Sequence, residues 1–285
     1  MSSSRALRIF PSSGFELIEK DKLIDEERLP AYYPEKYYPV RLGEVLGERY
    51  QILGKLGFGT TSTVWLARDL QTDAYATLKL YVTGAERGRE LNMYKRIEEA
   101  ISQTDHPGRT SCIRTLLGSF QVKGPHDLQT TNLILSVSRP EIFPAFEEAQ
   151  ISHPVPRKVV DDNRNIYTTR PLNLCNGLPL ICDFGAARTF EEAGTPGEDV
   201  MPDVYKAPEV ILHMKWDRQI DIWNVAMVVW HLLMGEPLFK GRSPCGTYQD
   251  DRVHMAEMVA LMGNPPLEFT QRSHMSRALW DENGR

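Results

Sequence analysis

Cysteine is scarce in this chain, with four among 285 residues: Cys112, Cys175, Cys182 and Cys245. None stand at metal-ligand spacing, and nothing resembles the disulfide framework of a small secreted domain. A reducing compartment is the expectation. Long apolar runs are lacking too. The longest, Val225 to Met234, contains His231 and is too short to span a bilayer. The N-terminus lacks the apolar core of a secretory signal. There is no excess of positive charge: 33 Lys+Arg against 38 Asp+Glu gives a net charge of -5, which argues against general nucleic-acid binding. No repeat or low-complexity tract stands out. What remains is a globular composition, 41% hydrophobic and 25% charged, long enough for one large domain or two lobes. It reads as a monomer of the cytoplasm and nucleus, with no membrane and no nucleic acid among its partners.

The chain opens with a poorly periodic lead-in, residues 1–45, carrying Tyr32-Tyr33-Pro34 and Tyr37-Tyr38-Pro39. These aromatics suit docking on a domain surface, and a loose tail is the alternative. From Tyr50 the pattern is strand-like. Tyr50 to Leu56 and Thr63 to Ala67 are rich in β-formers and flank a glycine turn. Ala74 to Tyr81 alternates, with Ala76, Leu78 and Leu80 on one face and Thr77, Lys79 and Tyr81 on the other. Glu86 to Ala100 predicts a helix, and Ile113 to Val122 a return to strand. Between Leu133 and Leu180 lies a polar, proline-containing segment with little periodicity, read as an insert at about 136–178. Asp217 to Met234 is apolar on nearly every side, which predicts a helix buried in a core and ended by Gly235. His254 to Met262 predicts another. The fold class expected is α+β, in two lobes: a small β-rich one and a helical one.

Transfer of a phosphoryl group needs a cradle for phosphates, cations against their charge, and a base near the accepting hydroxyl. Leu56-Gly57-Phe58-Gly59-Thr60-Thr61-Ser62, followed by Val64, is a candidate cradle. Gly57 and Gly59 let backbone N–H groups approach phosphate oxygens. The third glycine position holds Ser62, and an ordinary hairpin turn reads the same way. Lys79 lies on a strand after the turn, sharing a face with Thr77. Glu90, on the following helix, is its candidate partner, and Glu86 is the rival. Asp127 and Asn132 stand five positions apart, suiting a proton acceptor and a magnesium ligand. Asp183, in Asp183-Phe184-Gly185, is a second candidate magnesium ligand. Ala207-Pro208-Glu209 and Asp221-Ile222-Trp223 follow in order, and Asp221 suits an anchor for the Asp127 loop.

With those residues in place the chain resembles a eukaryotic protein kinase, and within that group the SR-protein kinases in their fungal form. The narrower resemblance rests on Tyr38-Pro39-Val40-Arg41-Leu42-Gly43-Glu44 before Arg49-Tyr50, and on Ser62-Thr63-Val64-Trp65-Leu66-Ala67. It rests also on the spacer with Pro156-Arg157-Lys158-Val159-Val160-Asp161 and on Asp221-Ile222-Trp223-Asn224-Val225-Ala226. The resemblance implies ATP and Mg2+ as cofactors, Lys79, Glu90 and Asp127 as catalytic residues, and Asn132 and Asp183 on the metal. It places Leu56 to Ser62, Val64, Thr77 and Lys79 around the nucleotide. It implies serines in Arg/Ser-rich splicing factors as substrates. Glu191, Glu192, Glu198, Asp199, Asp203, Asp250 and Asp251 offer such a substrate negative charge. The lobes then run 46–126 and 127–285.

The chain also departs from that pattern. Only Gln121 to His126 separate Phe120 from Asp127, where the family fits a last small-lobe strand, the adenine-binding hinge and two helices. A helix of about 20 residues is ~30 Å long, whereas six extended residues reach only ~20 Å. Pro125 stands where the family has histidine, Gln129 where it has lysine, and Thr77 where alanine is common. The sequence stops soon after Trp280, before the last helices the family carries. The expectation is a chain in which apolar faces lose their cover and catalysis is impaired, as a mis-spliced transcript or a faulty gene model at the His126–Asp127 junction would produce. A kinase-like protein that binds without turnover is the alternative reading.

Overall fold

A computed structural model describes residues 6–84, 88–103, 113–123, 129–137, 140–172, 180–189, 194 and 200–281. It forms two compact units, Met1–Gly185 and Ala186–Arg285. Asp127, Glu86, Glu191, Glu192, Glu198 and Asp199 lie outside the described residues.

The first unit is built on a six-stranded antiparallel sheet. Its strands are β1 (Val45–Leu46), β2 (Tyr50–Phe58), β3 (Ser62–Asp69), β4 (Tyr75–Tyr81), β5 (Leu116–Lys123) and β6 (Gln129–Leu135), in the spatial order β1-β2-β3-β4-β6-β5. Helix α1 (Arg89–Ser102) joins β4 to β5. The alternation read in β4 decides its faces. Ala76, Leu78 and Leu80 enter a core with Ile52, Trp65, Ala67 and Ile134. Val40 of the lead-in, Val155 and Tyr167 cover that core. The opposite face is covered twice. Tyr94 of α1 packs with Leu133 and Leu135, while α2 (Phe143–Ser152) brings Phe143 and Phe146 onto Leu53 and Leu66. A hairpin, β7 (Arg157–Asp161) and β8 (Arg164–Tyr167), completes the unit.

Two findings differ from the sequence reading, and a third decides between its two alternatives for the lead-in. The strand that completes the sheet beside β4 is supplied by residues beyond Asp127. Gln129–Leu135 contains a Thr-Thr pair and then Leu-Ile-Leu, which suits a strand as well as a loop, and β4 offers it an open edge. The region read as an insert is not irregular. It yields α2 and the β7–β8 hairpin, both in the first unit, so that unit ends at Gly185 and not at the 126/127 junction. The lead-in is docked: the Ile18 amide donates to the Arg157 carbonyl at 3.0 Å, and the Thr83 amide to that of Lys36 at 2.9 Å.

The second unit is helical among its described residues: α3 (Pro208–Ile211), α4 (Gln219–Met234), α5 (Asp251–Met262) and α6 (Leu267–Thr270). Ile211, Leu212, Met214, Met227, Phe239, Met255, Met258 and Trp280 form its core. Gly235 ends α4 at φ +75°, a conformation glycine adopts without strain. Helix α4 is not wrapped on all sides as its composition suggested. Ile220 and Met227 are buried, but Ile222, Val225, Leu232 and Leu233 are exposed, Leu232 at 80%. No described residue of the second unit covers that face. None of the described helices is long and apolar enough to cross a membrane.

Candidate active site

Register places the site residues. Leu66 pairs with Thr77 and Val64 with Lys79, so each pair shares one face of the sheet. Thr77 is opposite Leu135, and Lys79 is opposite Leu133. Two adjacent rows result: Gly54–Leu66–Thr77 and Gly57–Val64–Lys79. The glycine turn caps the second row. Phe58 pairs with Thr63, and the Gly59 amide donates to the Ser62 carbonyl at 2.8 Å, which closes the hairpin over Thr60 and Thr61. A Cβ built at Gly57 meets nothing within 4 Å, and one at Gly59 meets only the Ser62 carbonyl, at 3.9 Å. Neither glycine has positive φ. Their bareness therefore leaves open space for an incoming group rather than serving the fold of the turn.

Lys79 is the hub. Its ammonium donates to Glu90 Oε2 at 2.7 Å and to Asp183 Oδ1 at 2.7 Å. The first partner comes from the opening turn of α1, where an acidic residue also favours the helix dipole. Tyr81, on the same face of β4 as Lys79, donates its hydroxyl to the same Glu90 oxygen. Burial, and then the Glu90 carboxylate, push the Tyr81 phenol well above its ordinary range, so it stays a donor. Phe184 packs edge-on against Tyr94 of α1, with ring centroids 5.1 Å apart. That contact anchors Asp183, which takes the left-handed conformation at φ +65°. A residue without glycine's freedom is held there by its neighbours. A Cβ on Gly185 would stand 3.5 Å from both the Asp183 and Glu90 carboxylates, so glycine keeps the approach to them open.

The two carboxylates are unlike. Glu90 is buried, whereas the Asp183 side chain is 72% exposed. One ammonium against two carboxylates leaves the trio at net charge −1, with the negative oxygen presented outward. That suits a divalent cation of the magnesium kind, which takes one or two protein carboxylates and fills its shell with phosphate oxygens and water. No group of three or more His, Cys, Asp or Glu able to hold a metal alone occurs among the described residues. Asp183 together with the open glycine cradle therefore fits a cation that arrives on a polyphosphate.

Other expected residues fall differently. The backbone of Asn132 lies in β6, opposite Leu80 and Phe120, not in a loop beside Asp183. Leu56 and Leu66 belong to the cluster of Phe143 and Phe146. A Cβ at Gly54 would come within 2.3 Å of Gln150 Nε2 and 2.7 Å of the Phe146 ring, so α2 lies directly on the Gly54–Leu66–Thr77 row. Asp221 stands exposed in the first turn of α4. The acidic residues read as an attraction for arginine are partly committed. Asp250 caps α5 and binds Arg252 at 2.7 Å, which holds its carboxyl low, at about 2. Asp203 and Asp251 lie 2.8 and 3.6 Å from Lys206. Two participants escaped the sequence reading: Tyr81, although its shared face with Lys79 was visible, and Tyr94, whose place inside the Glu86 to Ala100 helix gave no hint of a partner at Phe184.

Comparison with known proteins bears on this geometry. The protein kinase domain family matches residues 171–281. A serine/threonine protein kinase of Aspergillus fumigatus is 35% identical over 322 aligned positions, covering 96% of this chain and 80% of that protein. The serine/threonine-protein kinase SRPK of Physarum polycephalum is 25% identical, over 91% of this chain and 78% of that protein. Serine/threonine-protein kinase Doa of Drosophila melanogaster is 26% identical over 81% of this chain and 30% of its own length. In the Aspergillus alignment 96% of 285 is about 274 residues, and 322 less 274 leaves about 48 positions of that kinase without a counterpart here.

Proposed function

Because the chain belongs to the protein kinase family, as a serine/threonine kinase, we propose that its sheet unit receives Mg–ATP at the glycine turn and Lys79 and that its substrates are serines in Arg/Ser-rich proteins. One observation carries the reading: Lys79 bonded at 2.7 Å to both Glu90 and Asp183 on the sheet face below an open glycine turn. Bound Mg–ATP supplies the phosphoryl group and the divalent charge that neutralises it. The protein's part is positional. Gly57 and Gly59 admit phosphate oxygens to backbone N–H groups, Glu90, itself bonded by the Tyr81 hydroxyl, holds the Lys79 ammonium, and Asp183 presents its oxygen to the cation. Asp127 accepts the serine proton on this reading, and Asn132 assists at the metal only if its strand opens. The narrower substrate class draws support from the motifs around Val40, Val64, Val159 and Trp223, and from the similarity to the Physarum kinase. Substrates of that class place the enzyme in the cytoplasm and nucleus. Incubation with labelled ATP and an Arg-Ser repeat peptide tests it: transfer to serine, abolished by Asp127→Ala, is expected. Transfer that survives Asp127→Ala, or that prefers a peptide without arginine, contradicts it.

A second reading has its own observation. Helix α2 sits on the Gly54–Leu66–Thr77 row, and Leu56, expected at the nucleotide, packs into the same cluster. With about 48 positions of the Aspergillus kinase absent, this chain is then a kinase relative that binds partners without turnover. Absence of Mg–ATP binding in a calorimetric titration supports it, and magnesium-dependent binding removes it.

A further inference from the structure

Lys55 stands two residues before the first turn glycine, at the end of a run of β2 that bulges between Lys55 and Gly57. Its side chain is wholly buried, at 0% exposure, which for a lysine demands partners. The lead-in and the β8 edge supply them. The ammonium donates to Glu26, lies 3.1 Å from Asp25 Oδ2, and donates to the Tyr167 carbonyl at 3.0 Å. Asp25 is fixed in turn, for its Oδ2 accepts from the Thr169 amide at 2.8 Å and the Thr169 hydroxyl at 2.7 Å. Asp25 takes φ +45°, a strained setting for a residue with a side chain. Two positions on, both Glu27 oxygens accept from Lys158, at 2.9 and 2.8 Å, and Oε2 also accepts from the Ile24 amide at 3.0 Å. A second hold lies on the turn itself. Tyr37 of the lead-in donates its hydroxyl to the Gly59 carbonyl at 3.3 Å, and the Thr83 amide donates to the Lys36 carbonyl. The lead-in thus grips the glycine hairpin at its root and at its tip, and the face left bare is the one over Lys79.

We propose that Asp25, Glu26 and Tyr37 form a clasp that sets the height of the glycine turn above bound phosphates, making Lys55 and Tyr37 positioning residues of the nucleotide site. The assignment rests on the reading of that site as a nucleotide site. Without the clasp the turn keeps its own hairpin bonds and one from the Val82 amide to the Thr61 carbonyl at 2.9 Å, while Gly57 and Gly59 pack against almost nothing. The clasp acts on phosphates and not on the base. It therefore changes affinity for a nucleotide while leaving a nucleoside alone.

Tyr37→Phe removes one hydrogen bond and keeps the buried ring, and Lys55→Met removes the buried charge. Hydrogen exchange of amides 57–62 in the full chain without nucleotide is the first readout. Both variants are expected to exchange faster there, with the β4 amides unchanged. Unchanged exchange in Tyr37→Phe overturns the clasp whether or not nucleotide binds. The second readout is titration with Mg–ATP and with adenosine. Tyr37→Phe is expected to weaken Mg–ATP roughly three- to tenfold, the worth of one hydrogen bond, with adenosine unaffected. Equal losses for both ligands overturn it. A wild-type chain that binds neither ligand sinks the nucleotide reading, and with it the role in phosphate positioning. Should Lys55→Met fail to fold, Tyr37→Phe alone decides.

Discussion

Lys79 bears on stability as well as on the proposed chemistry. Its partner Glu90 is buried, so removing the ammonium strands a carboxylate in the interior. Lys79→Met is expected to destabilise the first unit by about 3–5 kcal/mol in denaturant unfolding, and Lys79→Met with Glu90→Leu to recover most of that. A double variant no more stable than the single one would show that the buried pair is not the origin of the loss. Glu44 gives a pH signature. Burial pushes its carboxyl up to about 7, against the opposing pull of the Arg41 amide and charge and of the Tyr38 hydroxyl. A carboxyl raised in the folded state contributes stability that is fully present below its unfolded value of about 4.5 and is lost as pH rises through about 7. Thermal melts of the wild type should therefore lose on the order of ~1–2 kcal/mol across that window once solvent screening is allowed for. Glu44→Gln should flatten the loss, and an unchanged slope in that variant would reject the assignment.

At the scale of elements, α2 and α4 pose opposite questions. Helix α2 presses so closely on β2 that Gly54 has no room for a methyl. Gly54→Ala is expected to cost about 1–3 kcal/mol by overpacking, and Phe146→Ala about 3–5 kcal/mol by leaving a cavity. Near-neutral effects in both would mean α2 does not lie on the Leu66 row. Helix α4 bears apolar side chains that cover nothing among the described residues. Leu232→Lys should change stability by no more than about 0.5 kcal/mol, while Met227→Ala on the buried side costs about 2–5 kcal/mol. A large loss from Leu232→Lys would reveal a cover. These helices also mark where the sequence stopped being legible. Strands β2 to β4 and the Lys79 face could be read because alternation and turn residues act locally. The burial of α4 could not, since a helix apolar on all sides does not say which side finds a neighbour. Strand β6 could not either: Gln129–Leu135 serves a motif order and a strand equally well, and the open edge of β4 is a tertiary fact.

At the scale of the whole chain, the question is what about 48 absent positions do to a kinase. Lys79, Glu90 and Asp183 converge although 104 positions separate the first from the last, because all three lie within the first unit. That convergence was legible from motif order. The folding of the supposed insert onto the sheet was not, because Phe143 and Phe146 show no periodicity that names β2 as their partner. A transcript read across the codons for His126 and Asp127 is expected to show a skipped exon, and an uninterrupted genomic reading frame there would refute that origin. The central claim is that Lys79, Glu90 and Asp183 gather around a magnesium-bound triphosphate. Calorimetric titration of the full chain with ATP, with and without magnesium and in Asp183→Asn, tests it most directly. The account predicts binding that strengthens at least about tenfold with magnesium in the wild type and loses that gain in Asp183→Asn; equal binding with and without the metal, or a gain that Asp183→Asn leaves intact, would contradict it.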